Sequence, residues 1–216
     1  CKFDSTLMTD IARQSRIPMS LTSIDASQCY DRVLHLILWM VWYSLVKFEN
    51  VVITIVTCLQ LMEYFMRSGF GDSVNSYGGR QSAFRWDGLG QGSRGASHGW
   101  IHVCSPMINL LKKCGLCSAL ENPITREETE TVGSVYVDDA NMYSGGSVGD
   151  SVQDVVKEVK KQGLAWAALL KISGGCAKAK KSFWYLMEQV YKDGKWGWNN
   201  TEGTEMEVPV DDGLSH

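Results

Sequence analysis

Two neighbouring carboxylates, Asp138 and Asp139, form a group in this sequence that could do chemistry. They follow Val135, Tyr136 and Val137, which favour strands, and a second short apolar run comes after them. We therefore predict a hairpin that presents both acids at its turn. Two like charges side by side repel, so a fold that keeps them near apolar neighbours needs a cation there. The pair therefore indicates a site for a divalent metal ion.

The apolar strand in front of Asp138 and Asp139 distinguishes this pair from a second pair of acids in the sequence. Asp211 and Asp212 lie in a stretch flanked by Pro and Gly, which we interpret as a solvated loop. A bare pair of aspartates is more often surface than site, so the chemical interpretation is kept for Asp138 and Asp139 alone.

A third acid, Asp25, follows another predicted strand, residues 19–24. Asp31 comes six residues later, with Tyr30 directly before it. We expect the strand to end near Asp25 and a helix to begin near Asp31. Asp31 would then lie in the first helical turn, where the helix dipole stabilises a negative charge. We therefore assign a chemical role to Asp25 and a structural role to Asp31.

Composition describes an ordinary globular chain of one large domain or two small ones. Its 216 residues are 44% hydrophobic and 21% charged, with a net charge of −3. This charge excludes the general basic surface expected of a stand-alone nucleic-acid-binding protein. Seven irregularly spaced cysteines indicate free thiols in an intracellular compartment, the cytoplasm or the nucleus. Because the chain opens on Cys1 rather than Met, we expect it to be a fragment.

Hydrophobic patterning predicts the elements around these acids. The apolar run 33–46 is short for a membrane span, so we predict a buried core helix and no membrane association, with His35 packed in the core. Residues 151–171 repeat apolar side chains at helical spacing and predict an amphipathic helix. Residues 183–186 predict a strand whose hairpin partner is 195–198, and the acidic stretch 122–130 predicts an exposed loop. The glycine-dense segment 88–97 predicts the start of a helix that runs through Lys113. Two interpretations of this segment are open: its backbone could contact a phosphate or a base pair, or it could be only a flexible connection.

Four stretches of the chain together resemble the motifs of reverse transcriptases, in the order that this family has them. They are Ser23-Ile24-Asp25 through Asp31-Arg32-Val33, Gly90-Gln91-Gly92-Ser93, Tyr136-Val137-Asp138-Asp139, and Ser173-Gly174-Gly175 through Lys180-Lys181-Ser182-Phe183-Trp184. The resemblance covers residues 21–198 and is closer to retrotransposon-type enzymes than to retroviral ones.

The resemblance implies an α+β fold, the polymerase palm, in which a small antiparallel sheet of the ferredoxin or RRM type is backed by helices. Residues 1–216 would be one fragment of a reverse transcriptase domain, with the palm core at about 19–198 and part of the fingers. The N-terminal part of the fingers and the thumb would be missing, so we expect the fragment itself to be inactive.

The implied activity is RNA-directed DNA polymerisation, with an RNA template, a DNA or RNA primer and deoxynucleoside triphosphates as partners. By analogy with the family, Asp25, Asp138 and Asp139 are catalytic. Together with the carbonyl of Ala26 they would hold two Mg²⁺ ions, or Mn²⁺ in their place, since hard oxygen ligands suit these metals.

The resemblance also implies a nucleotide-binding set. Tyr30 matches the aromatic residue beneath the sugar, where a bulky ring excludes a 2′-hydroxyl group. Gln91 and Gly92 match the motif that lines the template and the incoming nucleotide. Lys181, with Lys180 as the alternative, matches the lysine near the pyrophosphate, where an ammonium group stabilises developing charge.

The sequence departs from the family at two positions and leaves two alternatives open. Arg94-Gly95 stands where the glycine-rich motif has its proline, and Lys178 stands where an asparagine precedes the lysines. One alternative is an inactive retroelement relic that folds or binds nucleic acid without chemistry. The other is an RNA-directed RNA polymerase, against which Tyr30 argues because such enzymes need space at the sugar.

Overall fold

The computed structural model describes residues 2–79, 87–90, 93–122, 124–147 and 149–199. The chain divides into two compact units, one made of Cys1–Ser27 with Cys104–His216 and the other of Gln28–Val103. The helices are α1 (Lys2–Ser15), α2 (His35–Val46), α3 (Glu49–Gln60), α4 (Ala96–Lys113) and α5 (Val152–Ile172). The strands are β1 (Met19–Ser27), β2 (Glu63–Ser68), β3 (Gly71–Gly78), β4 (Ser118–Glu121), β5 (Glu128–Thr131), β6 (Gly133–Tyr136), β7 (Asp139–Gly145), β8 (Cys176–Ala177), β9 (Phe183–Met187), β10 (Gln189–Lys192) and β11 (Lys195–Trp198).

The first unit is built on a five-stranded sheet with β1 at its centre. One edge of β1 pairs antiparallel with β7, which in turn pairs with β6. The other edge pairs with two strands in succession, β9 along Met19–Ser23 and β8 along Ala26–Ser27. The long strand β1 therefore joins segments that are more than a hundred residues apart in the chain.

Helices cover the two faces of this sheet. Met19 and Tyr143 pack in a buried cluster with Met8 and Ala12 of α1. Successive strand residues point to opposite faces, and on the other face Ser144 donates a hydrogen bond of 2.8 Å to the side-chain carbonyl of Gln162 in α5. The core of the first unit therefore lies on both sides of the sheet.

Helix α5 confirms the prediction of an amphipathic helix. The Ser151 hydroxyl accepts a hydrogen bond of 3.2 Å from the Asp154 N–H, which satisfies one of the unpaired donors of the first turn. Apolar side chains at three- and four-residue steps are buried along one side: Val155, Val159, Trp166 and Leu170. The helix ends before Gly174, whose φ of +97° is unstrained only in glycine.

The second unit consists of the helix pair α2 and α3, the hairpin β2–β3 and the start of α4. The apolar run 33–46 forms α2 from His35 onward, and His35 is buried as predicted, but the prediction of a buried core helix is wrong, because only His35 and Leu38 of α2 are buried. Many apolar side chains of α2 and α3 are exposed, Leu36 and Phe48 among them. Within the described ranges, no helix is both long and apolar enough to cross a membrane.

The region around Asp25 and Asp31 differs from the prediction. Strand β1 continues past Asp25 to Ser27, so Asp25 lies inside the strand. Asp31 lies in a turn that its own N–H closes by donating to the Gln28 carbonyl at 3.0 Å, and α2 begins only at His35. The acid that accepts from the first N–H of α2 is Asp87, at 3.2 Å from the His35 nitrogen. A distant side chain therefore caps this helix in place of Asp31.

Two other predicted elements are also different. Residues 195–198 form β11, but they pair with β10 rather than with residues 183–186, which pair with β1 instead. The Asp193-Gly194 turn, with φ of +50° and +76°, produces this hairpin locally. The acidic stretch 122–130 is a loop only in part, because Glu128–Thr131 forms β5 and pairs with β4.

Candidate functional site

The hairpin β6–β7 presents the paired acids as the sequence predicted. Tyr136 and Asp139 are opposite each other at its end, so Val137 and Asp138 form a two-residue turn and Asp139 opens β7. Val137 has a φ of +58°, in the left-handed region that a β-branched residue rarely adopts. Such backbone strain persists only where the surrounding structure imposes it, and it often occurs at functional sites.

The pairing of β1 with β7 brings Asp25 to these acids. Asp25 is directly opposite Asp139 in the antiparallel register, and side chains in such positions have Cβ atoms about 4.5–5.5 Å apart on one face of the sheet. The Ala26 N–H donates to the Asp138 carbonyl at 2.8 Å, which ties the turn to β1. Three acidic residues from two distant segments therefore lie at the same end of the sheet.

Repulsion among these carboxylates shows in the electrostatics of Asp139. Although Asp139 is exposed, desolvation of its carboxyl group raises its pKa, and the charges of Asp138 and Asp25 raise it further. The ammonium group of Lys181 lowers it. Lys181 Nζ lies 3.4 Å from Asp25 Oδ2, and the Asp25 side chain is only 10% exposed. The site therefore already attracts a positive charge.

The donor atoms at this site fit a hard divalent cation. Carboxylate and carbonyl oxygens are the ligands that Mg²⁺ and Mn²⁺ prefer, and Asp25, Asp138 and Asp139 supply the carboxylates. Among the residues that the structure describes, no group of three or more His, Cys, Asp or Glu side chains is arranged so that it could hold a metal ion. A lysine ammonium instead pairs with the most buried of the carboxylates.

The face of the sheet that carries Asp25 and Asp139 also carries exposed aromatic rings. Phe183 is opposite Ser23 and Tyr185 is opposite Leu21, which places both rings on the Asp25 side of β1 by strand alternation. Their ring centroids are 5.2 Å apart, and their residues are 48% and 58% exposed. Tyr136, opposite Asp139, is 66% exposed. In proteins that bind single-stranded nucleic acids, aromatic side chains are the surfaces on which bases stack.

In the second unit, the turn that contains Tyr30 is bonded to the segment that leads into the glycine-rich loop. The Leu89 N–H donates to the Tyr30 carbonyl at 2.7 Å, and the Gly88 N–H donates to the Val33 carbonyl at 2.8 Å. His35 Nε2 is 2.7 Å from the Gly88 carbonyl, to which it donates. Three hydrogen bonds therefore join the turn of Tyr30 and the start of α2 to Gly88 and Leu89.

Two glycines make this close contact possible. Gly88 has a φ of +104°, and a Cβ atom there would be 2.6 Å from the Asp31 carbonyl oxygen. A Cβ atom on Gly90 would be 2.8 Å from the Tyr64 hydroxyl oxygen. Burial, and then the charge of Asp31, raise the pKa of Tyr64. Gly88 and Gly90 therefore have a steric role. The sequence alone had left open whether the glycine-rich segment is a binding surface or a flexible connection.

The predicted site residues separate into three groups. The structure brings Asp25, Ala26, Asp138, Asp139 and Lys181 together in the first unit. Tyr30 belongs to the second unit and is half-buried. Gln91 and Gly92 lie outside the described residues.

Sequence reasoning missed the contacts of several residues, one in the first unit and two in the second. Ser182 accepts a hydrogen bond from the Asp25 N–H at 3.3 Å, and His35 and Asp87 hold the loop and the start of α2. The alternation Phe183-Trp184-Tyr185 was a usable signal for the aromatic face, since residues two apart in a strand share a face. The sequence predicted the burial of His35 and included Ser182 in a motif, but it gave no signal for the contacts of Ser182, His35 or Asp87, because each partner is distant in the chain.

Comparisons with known proteins give a structural likeness at low sequence identity. No family model matches the chain, and no curated protein matches it. A solved structure of telomerase from Candida tropicalis in complex with the TWJ fragment of telomeric RNA is similar with a TM-score of 0.54 and 14% identity, covering 85% of this chain and 29% of the telomerase chain. A second, apo telomerase from the same organism, truncated from its C-terminal domain, has a TM-score of 0.52 and 15% identity, covering 88% of this chain and 35% of that one.

These likenesses show the fold and nothing finer. The chain has a mixed helix and sheet structure with small antiparallel sheets, and it is similar to telomerase, a reverse transcriptase. Its fold is therefore reverse-transcriptase-like. The chain spans about a third of the length of the telomerases that it matches.

Proposed function

We propose that this chain is the palm region of a retrotransposon-type reverse transcriptase, an RNA-directed DNA polymerase that joins deoxynucleotides to a primer 3′-hydroxyl. One observation carries the proposal: Asp25 is directly opposite Asp139, and its neighbour Ala26 is bonded to the Asp138 carbonyl, within a reverse-transcriptase-like fold. The motif order in the sequence points to the same residues, and it does so independently of the fold.

The carboxylates supply negative charge and hard oxygen ligands. Asp25 and Asp138, with Asp139 assisting and the Ala26 carbonyl adding a neutral ligand, are the residues that would hold Mg²⁺ or Mn²⁺. Two such ions, when bound, stabilise the attacking and leaving oxygens of an in-line phosphoryl transfer. The protein contributes placement and charge neutralisation more than covalent chemistry. The hydrogen bond from the Ala26 N–H to the Asp138 carbonyl keeps the two ligand segments at a constant separation.

The other predicted residues bind and select the substrates. The ring of Tyr30 restricts the space at the sugar and favours deoxynucleotides, while Gln91 and Gly92 line the template and the incoming nucleotide. Lys181 places a positive charge for the pyrophosphate. Phe183 and Tyr185 offer stacking surfaces beside the carboxylates, on the same face of the sheet. The proposed partners are an RNA template, a DNA or RNA primer and deoxynucleoside triphosphates. One telomerase of similar fold was solved with an RNA fragment, which supports the proposal of an RNA partner.

Titration with a divalent cation tests the proposal on the 216-residue chain itself. We expect isothermal titration calorimetry to show Mg²⁺ and Mn²⁺ binding to the wild type and loss of that binding in Asp25→Asn. Asp193→Asn is the matched control, because it removes the same charge from the turn between β10 and β11. Binding that Asp25→Asn leaves unchanged, or no binding by the wild type, would contradict an active polymerase site and favour an inactive relic.

Sugar selection separates the DNA polymerase from an RNA polymerase. In a polymerase-competent form that contains this chain, Tyr30→Ala should raise incorporation of ribonucleotides relative to deoxynucleotides, because the smaller side chain leaves room for a 2′-hydroxyl group. Tyr30→Phe is the control that keeps the ring. Equal use of both nucleotides by the unmutated enzyme would favour the RNA polymerase instead.

A further inference from the structure

A short turn fills a gap in the sheet beside Asp25. On this edge of β1, the pairing with β9 ends at Ser23 and the pairing with β8 begins at Ala26. At Asp25 the ladder is continued by the turn between those strands, residues 178–182. The Lys178 N–H donates to the Asp25 carbonyl at 2.8 Å, and the Asp25 N–H donates to the Ser182 hydroxyl at 3.3 Å.

The turn is closed by its own hydrogen bonds. The N–H groups of Lys181 and Ser182 donate to the Lys178 carbonyl at 3.0 and 3.1 Å. The Ser182 hydroxyl donates to the same carbonyl at 3.0 Å. Since both ends of the turn are bonded to the Asp25 backbone, the Cα atom of Lys181 has a defined position relative to the Asp25 carboxylate.

The Lys181 side chain reaches that carboxylate. Its ammonium nitrogen lies 3.4 Å from Asp25 Oδ2, while the lysine side chain remains 59% exposed. Asp25 itself is 7% exposed and is opposite another carboxylate, that of Asp139. A buried carboxylate beside a like charge is costly without a counter-charge. The solvated ammonium group of Lys181 supplies a counter-charge that a cation could displace.

We propose that Lys181 is a built-in counter-ion, which occupies Asp25 when no divalent cation is bound and competes with the cation for that carboxylate. Cation binding then frees the ammonium group for an anionic ligand. The inference rests on the proposed function in one respect, namely that Asp25 is a cation ligand. Ser182 acts as a positioning residue, because its hydroxyl bonds the lysine turn to Asp25.

Competition predicts that removal of the ammonium group tightens cation binding. We expect Lys181→Met to bind Mg²⁺ and Mn²⁺ about fivefold more tightly than the wild type, the ratio that a partly exposed ion pair of about 1 kcal/mol would give. Lys180→Met is the matched control, since it removes the same charge from the same turn but not the ammonium group that pairs with Asp25. Isothermal titration calorimetry of the 216-residue chain measures both.

Ser182 provides a second, graded test. Ser182→Ala removes the hydroxyl that bonds the turn to Asp25, so its cation affinity should lie between those of the wild type and Lys181→Met. Ser182→Thr keeps the hydroxyl and should restore the wild-type affinity. A purely structural role for Ser182 would lower affinity and thermal stability together, and that result would overturn its assignment as a positioning residue.

Thermal unfolding gives a readout that is independent of affinity. In EDTA, Lys181→Met should unfold at a lower temperature than Lys180→Met, because the carboxylates lose their counter-charge. Saturating Mg²⁺ should abolish this difference, and Lys181→Gln repeats the test with a polar side chain. A difference that Mg²⁺ leaves unchanged would overturn the proposal.

The outcomes also separate this proposal from the function on which it rests. One outcome is that the wild type binds the cation, Asp25→Asn does not, and Lys181→Met binds it no more tightly than Lys180→Met. In that case the counter-ion proposal fails, but the proposed cation site stands. If none of these variants binds a divalent cation, both fail.

Discussion

Helices α5 and α2 both consist largely of apolar side chains, but they bury them very differently. α5 starts at a serine cap, buries one side and exposes charged residues on the other. α2 carries no charged residue, and its first N–H donates to the side chain of Asp87, which is distant in the chain. Leu36, Met40 and Tyr43 of α2 are exposed. The first helix supports the sheet of the carboxylate site, and the second belongs to the unit of Tyr30 and the glycine-rich loop.

The contrast shows that apolar composition and apolar periodicity carry different information. Periodicity in α5 identifies the buried side, since polar residues mark the opposite one. A helix with apolar residues on every side, such as α2, gives no indication of which side will pack. For such a helix, only the contacts in the folded chain decide which substitutions matter.

The largest expected effect lies in the sheet that α5 supports. Gly133 in β6 has a φ of +146°, and a Cβ atom there would clash with the Asn141 carbonyl oxygen. Gly133→Ala should therefore lower the free energy of unfolding by roughly 4 kcal/mol, combining backbone strain with overpacking. Urea denaturation followed by far-ultraviolet circular dichroism measures the loss.

A second glycine separates steric clash from backbone strain alone. Gly149 also has a positive φ, +99°, but a Cβ atom added there would have no other atom within 4 Å. Gly149→Ala should lose only about 1 kcal/mol. Equal losses at Gly133 and Gly149 would show that the close approach of β6 to β7 does not limit stability.

The next effect compares the two helices directly. Leu170 in α5 is fully buried, whereas Leu36 in α2 is 66% exposed. Leu170→Ala should cost about 3 kcal/mol through lost burial and the cavity left behind, and Leu36→Ala less than about 0.5 kcal/mol. Both are measured by urea denaturation. Similar costs for the two substitutions would remove the distinction between the helices.

A smaller, pH-dependent effect comes from Glu158 on α5. Burial raises the pKa of this half-exposed carboxyl group, the charge of Asp150 raises it further, and the Gly145 N–H, which donates to it at 3.1 Å, lowers it. The folded chain therefore keeps the proton to higher pH than the unfolded chain, so stability falls as pH rises from the ordinary glutamate value through the raised one.

Glu158→Gln removes this fall with pH. We expect the variant to gain less than about 1 kcal/mol relative to the wild type between about pH 4 and pH 8, because solvent screens the group. Denaturation midpoints at the two pH values measure the gain. A relative loss at the higher pH would mean that the ionised carboxylate stabilises the fold through its bond to Gly145.

The smallest expected effect lies on the exposed side of α2. Met40 is 46% exposed, so Met40→Lys should change the free energy of unfolding by less than about 0.5 kcal/mol. Chemical denaturation again provides the measurement. A loss above about 1 kcal/mol would show that this side of α2 is packed after all, and that the contrast with α5 is smaller than the structure indicates.

Local patterns predicted much of the fold where neighbouring residues decide it. The hairpin of Asp138 and Asp139, the amphipathic helix α5 and the apolar helix α2 all follow from residues close together in the chain. The Asp193-Gly194 turn could also have been recognised from the sequence, and it would have predicted the pairing of β11 with β10. The first residue of α2 could not be predicted from local sequence, because its capping acid, Asp87, lies 52 residues further along the chain.

The amino-acid sequence by itself determined which acids are candidates for chemistry, since residue type and order are enough to predict the motifs. Only the tertiary structure decided that Asp25 is opposite Asp139 and that Lys181 and Ser182 lie against Asp25. Strand register and the gap between β8 and β9 arise from pairing between distant segments, and the cooperative packing of the whole sheet selects that pairing. No local pattern contains it.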